Sequence, residues 1–279
     1  MPHAPLDPAA SAALIADASG GLPRLLEIMR RLRDRDSGCP WDIEQTFATI
    51  APYTVEEAHE VADVIARAAW DELPGELGDL LFQTVYHAQL ADEAGLFDFD
   101  AVVAAISDKM ILRHPHVFGD DSRDKTARQQ TADWDRAKAA ERGSARVLDG
   151  VALGLPGLTR AVKLQRRAAR VGFDWPSTDE VLDKLLEETR ELAEARKTQS
   201  AAAVEEEFGD LLFVLANLAR HWEVDPEAAL RAANAKFERR FRKIEDWLAV
   251  EGRHPSGSTL AEMDALWDRA RAEDKAAQK

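Results

Sequence analysis

The stretch EETRELAEARKTQSAAAVEEEFGDLLF (187–213) decides the fold. Its apolar residues recur every three or four positions, the period of one face of an α-helix. It reads as parts of two helices, about 178–197 and 201–222, and the short connection near 197–201 packs them antiparallel. The same pattern stands earlier as EEAHEVADVIARAAWDELPGELGDLLF (56–82). The offsets are 187 − 56 = 131 and 207 − 76 = 131, with no slippage between the acidic block and the Gly-Asp-Leu-Leu-Phe block. Farther on, WDRAKAAE (134–141) returns as WDRARAED (267–274), at 267 − 134 = 133. Three separated blocks at nearly one offset mark an internal repeat. The chain reads as a frayed tail (1–21), an N-terminal helical module (22–142), a linker (143–157) and a C-terminal helical module (158–279).

The remaining sequence agrees with an all-α chain. Helical periodicity also covers about 22–35, 53–69, 73–95, 99–113, 127–141, 157–170, 226–250 and 260–275, and alternating Val/Ile/Thr runs are almost absent. Breaks fall where Gly, Pro, Ser and Asp cluster, as in SGCPWD (37–42), HPHVFGDDS (114–122) and VGFDWPST (171–178). At 279 residues the length fits two domains, and 46% hydrophobic residues give ample material for their cores. Against 36 Lys and Arg stand 51 Asp and Glu, a net charge of −15. That balance disfavours stable nucleic-acid binding, which needs a basic footprint, and docking on an anionic membrane. A single cysteine, Cys39, excludes an internal disulfide and a cysteine-based zinc site. With no membrane-length apolar run and no basic n-region to mark a signal peptide, the expected compartment is the cytoplasm.

The chemistry lies in the acidic blocks. On a helix, Glu187 and Glu191 stand about 40° apart, with Glu188 at the side of the same face, and Glu207 and Asp210 are i, i+3 neighbours on the next helix. Antiparallel packing then aims four or five carboxylates into one space. Crowded like charges repel and raise one another's pKa, so an all-oxygen set of this kind calls for a hard cation, Mg²⁺ or Mn²⁺. Such a cation lets an acidic protein handle a phosphate ester. The plainer reading is a solvated acidic face, as most Glu-rich helices are. Against it, Asp210 sits beside Gly209 and just ahead of the apolar run LLFVLA, an unexpected place for a surface carboxylate, and Asp79 repeats the arrangement.

Together with CPWD (39–42), QTFATIAPYTVEEAHEV (45–61), GELGDLLFQ (75–83), RHPHVFGD (113–120), VGFDW (171–175), EEEFGDLLF (205–213) and NAKFERRF (234–241), these blocks make nearly the whole chain resemble the MazG family of nucleoside triphosphate pyrophosphohydrolases, in its tandem two-module form. The resemblance implies two repeated helical bundles of the all-α NTP pyrophosphatase type. It implies Mg²⁺-dependent cleavage between the α- and β-phosphates of a nucleoside triphosphate, giving monophosphate and pyrophosphate. Carried onto this chain, the metal ligands are Glu188, Glu191, Glu207 and Asp210, with Glu187 as an outer base or additional ligand. Lys184, one turn before them, is expected to contact phosphate and belongs with Glu187, Glu188 and Glu191 in the catalytic set. Lys236 and Arg240, i and i+4 on NAKFERRF, are expected to meet the β- and γ-phosphates, the alternative being a surface ion-pair helix with Glu238. Trp267 packs against the base or closes the pocket, or else is ordinary core, and Arg271 follows one turn on.

The two copies are not equal. The N-terminal counterpart keeps Glu56, Glu57, Glu60, Glu76 and Asp79, and has Lys109 and Arg113. At offset 131, however, Lys184 corresponds to Tyr53, Asn217 to Tyr86 and Arg220 to Gln89. An Asn on the ligand face can bond a base or sugar, so Asn217 joins the substrate-binding set. The working site is expected in the C-terminal copy, with the N-terminal copy weak or inactive. His114 and His116 flank Pro115 and read as a structural turn, and no P-loop or Rossmann glycine pattern occurs. The expected assembly is a homodimer acting on nucleoside triphosphates, with broad base tolerance and a role in clearing unwanted nucleotides. The alternatives are a narrower dUTP, dCTP or phosphoribosyl-ATP pyrophosphohydrolase and, in another class, a non-catalytic helical adaptor.

Overall fold

In a computed structural model of the chain, residues 6–126, 129–130, 133–134, 146–198 and 200–277 are described. Among them are twelve α-helices and no strand, as expected of an all-α chain. The chain divides into two compact units, Met1–Glu141 and Arg142–Lys279. No helix among the described residues is long and apolar enough to cross a membrane.

The first unit holds α1 (Pro8–Ala16), α2 (Gly21–Leu32), α3 (Pro40–Glu44), α4 (Phe47–Arg67), α5 (Leu73–Glu93), α6 (Phe99–Arg113) and α7 (Pro115–Phe118). Its centre is the hairpin of α4 and α5, with α2 and α6 packed on α5 and α1 on α2. Met29, Ile50, Val85, Tyr86 and Leu90 form the core cluster, with Leu25, Leu26, Phe82 and Phe99 against it. A polar network is sealed into the same unit. Buried Arg33 pairs with Glu93 (2.7 Å) and donates to the Asp42 carbonyl, which also accepts from the Tyr86 hydroxyl at 2.9 Å.

The second unit holds α8 (Gly157–Arg170), α9 (Thr178–Thr198), α10 (Ala201–His221), α11 (Pro226–Val250) and α12 (Leu260–Ala277). Here α9 and α10 make the hairpin, α8 packs on α10, and α11 packs on α12 and α8. Val181, Val214 and Leu218 close α9 on α10, supported by Trp175, Leu182 and Leu185. Ala161, Val162 and Ala216 join α8 to α10 through small side chains. Caps set the helix starts by satisfying otherwise orphaned N–H groups. Asp98 caps α6, Ser200 caps α10 and Asp225 caps α11, each accepting backbone N–H bonds.

Several boundaries differ from the sequence reading, each for a physical reason. Residues 8–16 of the expected tail form α1, because Asp7 caps it, Pro8 starts it, and Ser11 donates to the buried Glu27 carboxylate. The SGCPWD break contains α3, started by Pro40. Its tight approach needs Gly38, since a Cβ there would lie 2.4 Å from the Leu32 carbonyl. Helix α4 begins at Phe47 rather than 53, because Thr46 and Thr49 form a reciprocal cap and Pro52 sits within the helix's first two turns. The expected helix 127–141 lies largely outside the described residues, and Gln129, Gln130, Asp133 and Trp134 within it are helical.

Removing Arg33 leaves the Tyr86–Asp42 contact unsupported and the Glu93 carboxylate half-buried without its cation. Arg33→Ala is expected to cost the first unit about 3 kcal/mol, and Tyr86→Phe about 1 kcal/mol, both read by urea unfolding of the full chain. A cost below about 0.5 kcal/mol for Arg33→Ala, a neutral surface change, would count against this network as a stabilising element.

Candidate active site

Helices α9 and α10 lie antiparallel, and their facing turns carry the acids. Glu188 on α9 is 4% exposed. Its carboxylate and those of Glu207 and Asp210 on α10 each offer an oxygen within 4.8 Å of the others. Glu191 lies near enough to act on the same set: partial burial, then Glu191, Glu188 and Asp210, push the Glu207 carboxyl above its ordinary value. Glu187 points outward, exposed. Lys184 is the local counter-charge, 2.8 Å from Glu187 and 2.7 Å from Glu188, and its ammonium is held well above the usual lysine range by those two bonds. One lysine against five carboxylates leaves a large negative excess, and hard oxygen donors at this spacing fit a divalent cation.

The first unit repeats the triad at offset 131. Oxygens of Glu57, Glu76 and Asp79 again lie within 4.8 Å of one another. Burial and then neighbouring carboxylates, Glu60 and Asp79 among them, raise Glu57 and Glu76. What differs is the surroundings. Tyr53, at the position of Lys184, is exposed and edge-on to Trp41 at 6.1 Å, so no cation sits in that place. Tyr86, at the position of Asn217, is a core residue with a bonded hydroxyl, which burial pushes up to about 12.

The basic and aromatic candidates form a separate cluster on α11 and α12. The Arg240 guanidinium lies 5.4 Å from the centre of the Trp267 ring and donates to Asp274 at 2.8 Å, while Phe237 stacks obliquely on Trp267 at 5.3 Å. Asp274, bonded by Arg240 and then Arg239, is held down to about 2. Glu238 pairs with Arg242 rather than with Lys236 or Arg240. Lys236 is exposed, and Arg271 pairs with Asp268 at 3.4 Å. Among the described residues, no ion pair joins these side chains to the acidic triad. His114 bonds the Met110 carbonyl at 2.7 Å and meets Trp134 at a ring distance of 5.0 Å, contacts in keeping with a structural turn.

Near Asn217 stand Arg220, already noted against Gln89, and three residues unnoticed in the sequence, Asp174, His221 and Gln165. Arg220 donates to the Asn217 side-chain oxygen at 2.8 Å and to the Asp174 carboxylate, and His221 is 3.3 Å from the same carboxylate. Gln165 on α8 donates to the Phe213 carbonyl at 2.7 Å. The available signal was a Gln on the apolar stripe of Ala161 and Val162.

The model for the MazG nucleotide pyrophosphohydrolase domain matches residues 45–118 and again 177–244, one match over each acidic hairpin. The chain belongs to the MazG family. A protein of Escherichia coli K12 named nucleoside triphosphate pyrophosphohydrolase is 50% identical over 258 residues, 91% of this chain and 98% of that protein. A Thermotoga maritima protein named nucleoside triphosphate pyrophosphohydrolase/pyrophosphatase MazG is 40% identical over 254 residues, 90% of this chain and 96% of that one. The Bacillus subtilis protein YabN is 39% identical over 254 residues, 89% of this chain and 51% of its own length. The repeat seen in the acidic blocks is thus two MazG domains in tandem.

The triads carry a pH signature. A carboxyl whose folded pKa is raised stabilises the fold while protonated and loses that contribution as pH rises through the folded value. Glu57, Glu76 and Glu207, raised from 4.5, therefore make the metal-free MazG chain less stable as pH climbs above that range. Mg²⁺ is expected to raise the melting temperature at pH 7.5 and scarcely at pH 4.5. Glu76→Gln and Glu207→Gln should each raise the metal-free melting temperature at pH 7.5 and remove part of the Mg²⁺ response, and the double variant should show none. An unchanged Mg²⁺ response in the double variant would place cation binding elsewhere.

Proposed function

We propose that the second module hydrolyses nucleoside triphosphates of both sugar types between the α- and β-phosphates, giving monophosphate and pyrophosphate, with broad base tolerance and a pool-clearing role. The observation that carries this reading is the Glu188, Glu207 and Asp210 triad with Lys184 at its rim, in a chain with two MazG domains. The names of the Escherichia coli and Thermotoga maritima relatives support the same activity.

In this reading Glu188, Glu191, Glu207 and Asp210 hold the cation, Mg²⁺ with Mn²⁺ as the alternative. Bound there, it neutralises phosphate charge and acidifies a water. The chain's own groups do the rest, mostly by positioning and charge stabilisation. Water adds to the α-phosphorus, the bond from that phosphorus to the α–β bridging oxygen breaks, and pyrophosphate leaves with the bond's electron pair. Glu187, exposed beside Glu188, takes the proton of the water. Lys184 turns from its two carboxylates toward a phosphate oxygen. Exposed Lys236 contacts the outer phosphates, while Arg240 and Trp267, braced by Asp274, form a wall against the nucleotide with Arg271 one turn on. The first module, without a lysine at position 53, is a weak or inactive counterpart and serves assembly. Each hairpin leaves a matching apolar pair exposed, Leu77 and Leu81 on α5 and Phe208 and Leu212 on α10, with Leu215 added on α10, and this supports a homodimer in which a second copy covers them. One free cysteine suits the reducing cytoplasm.

Assay of the eight common nucleoside triphosphates with Mg²⁺ and with EDTA tests the reading. Pyrophosphate and monophosphate are expected only with metal, with about a 10³-fold loss in Glu191→Ala and little change in Glu60→Ala. Orthophosphate in place of pyrophosphate would overturn the bond assignment. Loss in Glu60→Ala but not in Glu191→Ala would move the working site to the first module.

A further inference from the structure

Two buried amides in the second module are each left half satisfied. Asn217 is 1% exposed and Gln165 7% exposed. Arg220 donates to Asn217 Oδ1, which fixes that amide with its NH₂ turned away, and Asn217 Nδ2 has no partner. Gln165 donates its NH₂ to the Phe213 carbonyl, which fixes the other amide in the opposite sense, and Gln165 Oε1 has no partner. Within a helix the Phe213 carbonyl is also the acceptor for the Asn217 N–H, so Gln165 is anchored on α10 one turn from Asn217. A buried donor on α10 and a buried acceptor on α8, two helices that pack together, are thereby each left without a partner. Buried polar groups are ordinarily paired, and two complementary vacancies call for one ligand that accepts from the first and donates to the second.

The placement fits a nucleotide whose phosphates meet the acidic triad. Asn217 lies seven residues beyond Asp210. That is within about 20° of the same face and about 10 Å along the axis, the reach from a nucleotide's phosphate to its base edge. The first module lacks the feature, since Tyr86 fills the Asn217 position with a satisfied hydroxyl. On this ground, and resting on the pyrophosphohydrolase reading above, we infer that Gln165 and Asn217 are the base-reading pair of the second module, with Arg220 and Asp174 as positioning residues that hold the Asn217 amide in its donor orientation. Every common base carries a donor beside an acceptor on its pairing edge, so one donor and one acceptor on separate side chains accept them all. The pair is covered in the nucleotide-free chain, and binding exchanges that cover for the base.

The test is steady-state kinetics of pyrophosphate release by the full chain, with UTP, N3-methyl-UTP, GTP and the abasic 1-deoxyribose 5′-triphosphate. In the unmodified chain KM for the abasic and the N3-methyl compounds is expected to exceed that for UTP at least tenfold, with kcat altered less than threefold. Gln165→Met should raise KM for UTP about tenfold and leave the abasic compound unchanged. Asn217→Asp puts two acceptors side by side and should spare GTP, whose base edge offers two adjacent donors, relative to UTP. Arg220→Met frees the Asn217 amide to turn and should raise KM for UTP with no change for the abasic compound, a split that loss of structure would not produce. Equal KM for UTP and the abasic compound in the unmodified chain would overturn the inference whatever the variants do. Losses that are uniform across all four compounds would mean a structural role. No pyrophosphate from any compound with the unmodified chain would instead sink the underlying activity.

Discussion

The structure turns on one unfavourable interaction, the mutual repulsion of carboxylates crowded between two helices. Glu188, Glu207 and Asp210 are held together not by attraction for one another but by the packing of α9 on α10 through Val181, Val214 and Leu218. Val214 lies about one turn beyond Asp210, and Val181 and Leu218 lie about two turns from Glu188 and Asp210, so the apolar seam sets the distance at which the charges meet. Lys184 offsets part of the charge from the rim. The remaining charge is unfavourable unless a proton or a cation offsets it, and the fold keeps such an acidic triad in both modules. A site that is destabilising when empty and favourable when filled couples ion binding to stability.

The duplicated modules carry different residues at two corresponding positions of the same hairpin. In the first module Tyr53 replaces the rim lysine, and Tyr86 replaces the buried Asn with a ring that joins Met29, Ile50 and Val85. Its hydroxyl is tied to Asp42, and Arg33 and Glu93 complete a network that braces α5 against the connection to α3. Polar capacity that the second module leaves open is spent here on internal structure. The same fold therefore ties the Tyr86 position into internal structure in one copy and, in the proposed reading, offers Asn217 to a ligand in the other, with the acids common to both.

The fold and the acidic triads were legible because they follow from periodicity, which survives in a single sequence. A carboxylate at a fixed helical phase beside an apolar run is a conflict that shows in the letters, and its repetition at offset 131 removes chance as the explanation. The same periodicity read the face of Asn217 but not its partners. Asp174 lies in a turn and reaches Arg220 across 46 residues, and Gln165 reaches Phe213 across 48. No local pattern encodes such pairings. The start of α4 was misplaced because Pro52 reads as a boundary, whereas the helix runs through it and forgoes the one N–H bond that position 52 would make to the Ala48 carbonyl. Helix α1 was missed because its core side is a Ser–Glu hydrogen bond rather than an apolar stripe.

The α11–α12 cluster shows why charge alone is a poor guide to ligand contacts. Lys236 and Arg240 share a helix face and a sign, yet the structure treats them differently. Arg240 is enclosed by Trp267 and Asp274, and Asp274 answers Arg239 and Lys243 as well. A guanidinium so engaged is oriented rather than idle: its planar fork can keep Asp274 on one edge while presenting the other. Among the described residues Lys236 has no such brace, and its charge lies in solvent, where the proposed function has it meet the outer phosphates. In a protein of net charge −15, the approach of a triphosphate is opposed at long range and favoured only within a screening length of these few cations. In the proposed function this favours the magnesium complex of a nucleotide, which carries less negative charge to the acidic hairpin than the free nucleotide does.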